Sequence, residues 1–533
     1  MFSGNNGLDG YSLKKYVFPA ILVVSLFLLL LPYGKIFLSN EQRIISEVMP
    51  DHTVRSDSDV YDQSWQFWWV SYALDNGDDP RYCRLIYPPD GVSLVFQHIG
   101  WFDTYLFALT GISSCNPALS YNLSLLLGTL LTALFGWYLA RSWGADRYGA
   151  LFTALALVWL PSRTAHLLQH YQLANCWALI ASLWLCREYL SRRNWKYYAG
   201  FAVAMLAAAF ESPFLAMFAA IGMFATAFII RASWKRTVML ALIVIIVMII
   251  SAMFIIKAPG DAGSPAMDWR RAIYWSAEPQ SFILPSPFGL VGEITGMPHR
   301  LSWMSNTYEG VVTPGLIVLI AFIFIAWKKK QWRFVLIVLS LFLLSLGPEL
   351  RILGRPLGIP LPFRLLQSIS VLNGIRSPSR FAILGGIFVA IGGGMAIKMM
   401  NGRLKNLFIF LFLSEMTVMA LPSVSADIPG ICYDIPSDRT VLEVPCDDNV
   451  RRYALFQTAS AYVRQYAFLV RYPEKLERVP EFPEMSAGVD MVLYHRWLFE
   501  DDVKAHYDSL YSQYFPGFTS EDSIWILDRR GVR

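Results

Sequence analysis

The sequence predicts an α-helical polytopic membrane protein of about eleven transmembrane helices, followed by a small extracytoplasmic α/β domain at the carboxyl end. Three observations lead there. Of 533 residues, 55% are hydrophobic and only 16% charged, a balance too apolar for a soluble chain of this length. Apolar runs recur along the chain, approaching the about 20 residues that cross a hydrocarbon core. Basic residues fall in every second short loop between those runs. The net charge of +5 is spread over these loops and not gathered into one stripe, so no nucleic-acid partner is predicted.

The candidate spans lie near 17–39, 117–140, 148–161, 173–190, 197–210, 213–230, 237–256, 311–327, 334–346, 380–398 and 406–421. The first is too long for a signal-peptide core and no small-residue cleavage pattern follows it, so it is expected to stay as an anchor. Lys14, Lys15, Arg141, Arg147, Arg187, Arg192, Arg193, Lys196, Arg231, Lys235, Arg236, Lys328, Lys329, Lys330, Arg333, Lys398, Arg403 and Lys405 then share one side. The positive-inside rule makes that side cytoplasmic. An integral protein of the cytoplasmic (inner) membrane follows, with its amino terminus inside and its carboxyl-terminal segment outside. The multispanning domain covers 1–421, with outer loops at 40–116, 257–310 and 347–379, and the tail covers 422–533. Within the tail, 441–444, 491–494 and 524–527 have the apolar, β-branched and aromatic character of strands, and 499–513 has helical periodicity. Cys83 with Cys115, and Cys432 with Cys446, are placed where external disulfides could form, although spacing alone does not fix pairing.

The stretch most charged with chemistry is Ser56-Asp57-Ser58-Asp59-Val60-Tyr61-Asp62, which runs into Gln63-Ser64-Trp65-Gln66-Phe67-Trp68-Trp69. If it is helical from Asp59, then Asp59, Asp62 and Gln66 share a face, and the tryptophans supply an interfacial shelf. Carboxylates held beside apolar rings are partly desolvated, which favours accepting a proton from an attacking hydroxyl. Asp59, Asp57 and Asp62 are therefore the candidate catalytic residues, Asp59 first. The competing explanation is a capping box of Ser56 and Asp59, with acids favoured in a first helical turn by the macrodipole.

Further polar groups could complete a site. His166 and His170 stand four residues apart, which suits a metal ion, a phosphate or plain packing; no carboxylate lies nearby in sequence, and no metal ligand is assigned. Glu211 interrupts an apolar stretch and is either functional or merely wet at a tight Pro213 hairpin. Arg270 and Glu309 lie in the second large loop, where arginine forks suit phosphate oxygens but also make ordinary surface pairs. Arg376 and Arg380 sit at an outer boundary against the positive-inside trend, so an anionic group should balance them. A lipid phosphate and headgroup snorkelling are the alternatives.

The acid motif before a Trp-rich helix, the segment Tyr87-Pro88-Pro89-Asp90-Gly91 and the segment Ser377-Pro378-Ser379-Arg380-Phe381 resemble the GT-C superfamily of polyprenyl-phosphate-dependent glycosyltransferases, in its uncharacterised bacterial and archaeal branch. The resemblance covers about 17–421. It implies inverting transfer of a sugar from a polyprenyl-phosphate donor to a glycan, lipid or protein acceptor outside the membrane, with membrane lipid as a further partner. An Asp of the first outer loop would be the general base, by position Asp59 or Asp57. His166, His170, Glu211, Arg270, Glu309, Arg376 and Arg380 are the substrate-binding candidates. The second outer loop lacks the Asp-x-Asp motif of the oligosaccharyltransferase branch, so no cofactor is firmly implied and a divalent metal is left as an alternative. A lipid-linked saccharide flippase would need charges lining a path within the spans, where only Glu211 and Glu415 occur near span ends. A non-catalytic assembly protein of the same fold is the other alternative.

Overall fold

The computed structural model describes residues 9–39, 41–46, 58–260, 269–296, 308–369, 374–444, 451–466, 488–496, 501–514, 519–521 and 524–529. Helices occupy each predicted span: Asp9–Phe37, Pro117–Ser142, Arg147–Val158, Trp177–Arg192, Trp195–Glu211, Pro213–Ile230, Trp234–Ile256, Leu316–Lys328, Trp332–Ser345, Phe381–Met399 and Gly402–Met416. Among the described residues, four stretches, Pro117–Ser142, Pro213–Ile230, Trp234–Ile256 and Pro378–Met399, are long and apolar enough to cross a membrane by length and composition. Ile21–Phe37, Arg147–Val158, Leu316–Lys328 and Trp332–Ser345 are apolar but shorter. These apolar helices mark an integral membrane protein.

Local chemistry sets the helix ends. Asn116 caps Leu119 N at 2.9 Å with Pro117 in the first turn, and Asp146 caps Gly149 N at 2.8 Å; each satisfies an orphan donor of a helix start. The last turn of Gly402–Met416 delivers Glu415 to the start of Leu316–Lys328. There its carboxylate accepts from Leu316 N at 2.5 Å and Ile317 N at 2.8 Å. The bundle centres on Phe381–Met399, which is buried along nearly all its length. A Cβ on Gly394 would lie 2.1 Å from Thr153 Oγ1, and one on Gly149 would lie 2.2 Å from Gly394 O. The two helices therefore cross in backbone contact that only glycine permits.

The loops are stitched to the far end of the chain. Strand Arg43–Ile45 pairs antiparallel with Ser423–Ser425, and Asn122 brackets it, accepting from Ile45 N at 3.0 Å and donating to Arg43 O at 2.7 Å. In the tail, Thr440–Val444 runs parallel to Met491–His495 and to Val463–Arg464. Ile524–Asp528 lies antiparallel on the other side of Met491–His495, with Thr519–Glu521 at the edge. The strands expected at 441–444, 491–494 and 524–527 fall on this sheet, and helix Asp501–Tyr514 covers most of 499–513. The sheet docks on the first loop. Arg464 N donates to Leu85 O at 2.8 Å, and Tyr87 N to Arg464 O at 3.2 Å.

Two expectations are corrected. Trp65, Trp68 and Trp69 do not form an interfacial shelf; they are 6%, 4% and 0% exposed and pack with Val92, Ile99 and Trp101 inside the first loop. The reason is that the loop folds over them. Cys83 and Cys115 are both free thiols, Cys83 buried and Cys115 exposed. Cys83 is locked in the short hairpin with Val92–Ser93, away from any bridge. Cys432 is likewise free and buried, and Cys446 lies outside the described residues.

Candidate active site

The first turn of helix Asp59–Asp75 is the hub. Ser58 precedes it with extended backbone, and its hydroxyl bonds Ser46 Oγ at 2.8 Å without capping the helix. Ser56 and Asp57 lie outside the described residues. Gln63 ties the hub to the segment after the second long helix pair: its Nε2 donates to Gln169 O at 2.6 Å, and its Oε1 accepts from Tyr171 N at 3.3 Å. That clamp brings His170 Nε2 to 3.3 Å from Asp59 Oδ2.

The histidines are held from below by Arg163. This buried side chain donates to Ala174 O and Val158 O at 2.8 Å each and to Thr129 Oγ1 at 2.7 Å, so the turn through 158–174 has little freedom. His170 N bonds back to His166 O at 2.6 Å, and the two rings stand 5.5 Å apart, with His98 6.0 Å from His170.

Glu309 arrives from the second large loop and faces His166 Nε2 at 3.8 Å. Its Oε1 accepts from Arg380 Nε at 2.9 Å and Nη2 at 2.5 Å, and its Oε2 from Ser379 Oγ at 3.0 Å. This fork supplies the anionic partner that Arg380 was expected to need. Burial alone would raise the Glu309 carboxyl, but the Arg380 guanidinium holds it below the usual carboxylate range. Burial pushes His166 down to about 3, against the pull of Glu309, so the imidazole is neutral. His166, His170 and Glu309 offer ligand atoms all within 4.8 Å of one another, all buried. The carboxylate missing near the histidines in sequence thus comes from a distant loop.

The tail adds the last wall. Arg451 pairs with Asp59 and lies 3.8 Å from Asp62 Oδ2. Asp62 is half-buried, and desolvation pushes its carboxyl up to about 8 despite the opposing Arg464. Arg464 itself is clamped by Glu443 at 2.8 Å, which also accepts from Tyr462 at 3.0 Å. Arg451, Arg464 and Glu443 carry no local motif, and nothing in the sequence singled them out.

The remaining candidates sit apart. Glu211 accepts from Asp103 N at 3.2 Å in a buried network where Asp103 Oδ2 accepts from Ser124 and Asn175 at 2.5 Å each. Burial pushes the Asp103 carboxyl up to about 6. Tyr171 links this network to the hub: its hydroxyl accepts from Gly100 N at 2.6 Å and its own N donates to Gln63 Oε1. Arg270 is exposed on helix Trp269–Tyr274. Arg376, four residues before Arg380, stacks over Trp275 at 5.1 Å. The Tyr87–Gly91 segment is structural: Gly91 has φ +66, and a Cβ there would lie 2.7 Å from Cys83 O.

Residues 90–415 match the family described as Domain of unknown function (DUF6311). The chain belongs to the DUF6311 family. The matched stretch carries His166, His170, Glu309 and Arg380, while the acidic hub and the tail flank it. No curated protein matches the chain. Among solved structures, it is similar to arabinofuranosyltransferase AftD from Mycobacteria, with 12% identity and a TM-score of 0.57 over 96% of this chain and 40% of that one. The DUF6311 chain therefore spans about two fifths of that protein's length. A second match is the Archaeoglobus fulgidus oligosaccharyltransferase AglB in complex with an inhibitory peptide and a dolichol-phosphate, at 13% identity and TM-score 0.47, covering 97% of this chain and 75% of that one. A third is ArnT from Cupriavidus metallidurans, at 11% identity and TM-score 0.42, covering 97% and 98%. The architecture is the GT-C fold.

Proposed function

We propose that this chain transfers a sugar from a polyprenyl-phosphate donor to an acceptor on the extracytoplasmic side of the cytoplasmic membrane, with inversion and with Asp59 as general base. The observation that carries the reading is the convergence at Asp59: a carboxylate about one-third exposed, 3.3 Å from His170 Nε2 and paired with Arg451. The part-exposed carboxylate can reach an incoming hydroxyl, and the Arg451 guanidinium stands beside it to meet the phosphate that departs. As the acceptor oxygen bonds to the anomeric carbon, its proton passes to Asp59, and the anomeric carbon–oxygen bond to the lipid phosphate breaks.

Asp62 supports a second assignment of the base, because its burial gives a carboxyl poised near 8. A divalent ion fits the same centre. His166 Nδ1 is buried without a hydrogen-bond partner among the described residues, and Arg380 and Ser379 orient the Glu309 carboxylate as outer partners orient metal ligands. His166, His170 and Glu309 would hold the ion, which would supply positive charge for the leaving phosphate.

A flippase is disfavoured by where its two intramembrane acids go: Glu415 caps a helix start and Glu211 bonds the Asp103 backbone. Mass analysis of surface glycans from cells carrying Asp57→Asn, Asp59→Asn or Asp62→Asn tests the reading. Loss of one glycan with Asp59→Asn at unchanged membrane level is expected, a rate loss of about 10²–10⁴-fold. Unchanged glycans in all three variants point to a non-catalytic role.

A further inference from the structure

Beyond helix Trp332–Ser345 the chain folds into a hairpin, Glu349–Ile352 against Arg355–Pro360. One face is fastened down. Arg351, 4% exposed, donates to Ile273 O at 2.9 Å and Tyr274 O at 3.1 Å. The turn is clamped by Glu278, whose carboxylate oxygens accept from Gly354 N at 3.2 and 3.0 Å. The other face is bare. Side chains alternate along a strand, and directly opposed residues share a face. Ile352, opposite Arg355, and Leu357, two residues further on, therefore stand on the side away from Arg351. They are 41% and 47% exposed, and Ile359, past the positive-φ Gly358, is 49% exposed.

We propose that this hairpin lies on the bilayer with its free apolar face against phospholipid. Three observations choose that occupant. The first is height. Glu278 follows Ala277, whose N bonds Ser345 O, the last residue of an apolar helix, at 2.9 Å, and the far end of the hairpin returns to the same level, where Leu361 N bonds Pro348 O at 3.0 Å. Start, turn and end are all tied to the end of that helix, so the hairpin runs along the rim of the bundle instead of standing off into water. The second is the turn itself. Leu353-Gly354 has φ of +50 and +78, a two-residue turn with both φ positive, where Asn, Asp or Gly is favoured; the chain sets a leucine there, 60% exposed. A side chain that strains its own backbone and still faces outward suits an apolar neighbour. The third is the company. Tyr274, beside the clamp, is 48% exposed, and Arg271 and Arg355 are exposed. Glu349, the one acid of the hairpin, accepts from Gly358 N at 2.7 Å, and among the described residues no carboxylate pairs with Arg355. Apolar side chains with tyrosine and unpaired arginines are the composition of a membrane–water border, the guanidinium reaching to lipid phosphate.

The test is electron paramagnetic resonance on the full chain in nanodiscs of phosphatidylethanolamine and phosphatidylglycerol. A nitroxide is attached through p-acetylphenylalanine at the position of Leu353 or of Leu357, both outward-facing, so that the label displaces no core packing. Power saturation compares access of oxygen, which concentrates in lipid, with that of a water-soluble nickel chelate. Ile249, 54% exposed within Trp234–Ile256, gives the lipid reference, and Asp434, exposed in the tail, gives the water reference. Both hairpin labels should show an oxygen-to-nickel ratio severalfold above that at Asp434, approaching that at Ile249. A ratio equal to the Asp434 value at either position overturns the inference, because the face then meets water. Shielding from both reagents overturns it too, since a second copy or another protein would then cover the face.

Discussion

Replacing Arg380 with Met strands Glu309. Both side chains are under 5% exposed, and the guanidinium donates two hydrogen bonds to a single carboxylate oxygen. After the change, Ser379 Oγ remains as a direct donor to that carboxylate. Unit charges at about 4 Å attract by roughly 4 kcal/mol at an effective dielectric near 20. Removing one member of a buried pair costs about 3–5 kcal/mol, because the other charge is left without compensation. Glu309→Gln alone leaves Arg380 buried over the Phe214 ring at 4.8 Å, with a similar penalty. The double variant Glu309→Gln, Arg380→Met removes both charges and should regain most of the loss, since replacing a whole buried pair is often neutral. The assay is a double-mutant cycle on the unfolding of the detergent-solubilised chain, with a coupling energy of at least about 5 kcal/mol expected, since both single costs of about 3–5 kcal/mol are largely cancelled in the double variant. Additivity to within about 0.5 kcal/mol would refute the claim that this pair is a single electrostatic unit, and with it the idea that Arg380 fixes the carboxylate facing His166.

Two further outcomes follow from the same centre. Asp62 titrates near 8 when folded and near the ordinary carboxylate value when unfolded, so between about pH 4 and pH 8 the folded state binds the extra proton and stability falls as pH rises, by up to about 1.4 kcal/mol per unit. Asp62→Asn should flatten that slope in thermal midpoints compared at pH 5 and pH 8; parallel curves for both proteins would remove Asp62 as its source. Equilibrium dialysis against Zn²⁺ or Mn²⁺ should load one ion per chain and lose it in His166→Ala, whereas equal loading of the two proteins would place the ion elsewhere.

The helical layout was legible because apolar runs and their capping residues are local signals: Asn116-Pro117 and Asp146 mark helix starts in sequence as they do in space. Asp59, Asp62, His166, His170, Glu309 and Arg380 also stood out, as polar groups in an apolar chain. What could not be read was who meets whom. Glu309 answers Arg380 and completes the histidine pair through contacts between loops far apart in the chain, and no periodicity encodes that. Arg451 and Arg464 were invisible for the same reason: a surface-type arginine in a tail comes to stand beside Asp59 and Asp62 only once the sheet docks on Leu85 and Tyr87. The tryptophans misled because amphipathic rings suit both a bilayer edge and a buried cluster, and burial by the loop decided between them.

The pairing of Arg43–Ile45 with Ser423–Ser425 has a consequence for biogenesis. The strand leading toward the acidic helix meets its partner only after some 380 further residues have been made, so this latch closes late, after the helices between the two strands have been synthesised. A premature stop before that partner would leave a membrane-embedded product with an unlatched first loop, and such fragments should be recognised by protease sensitivity of that loop.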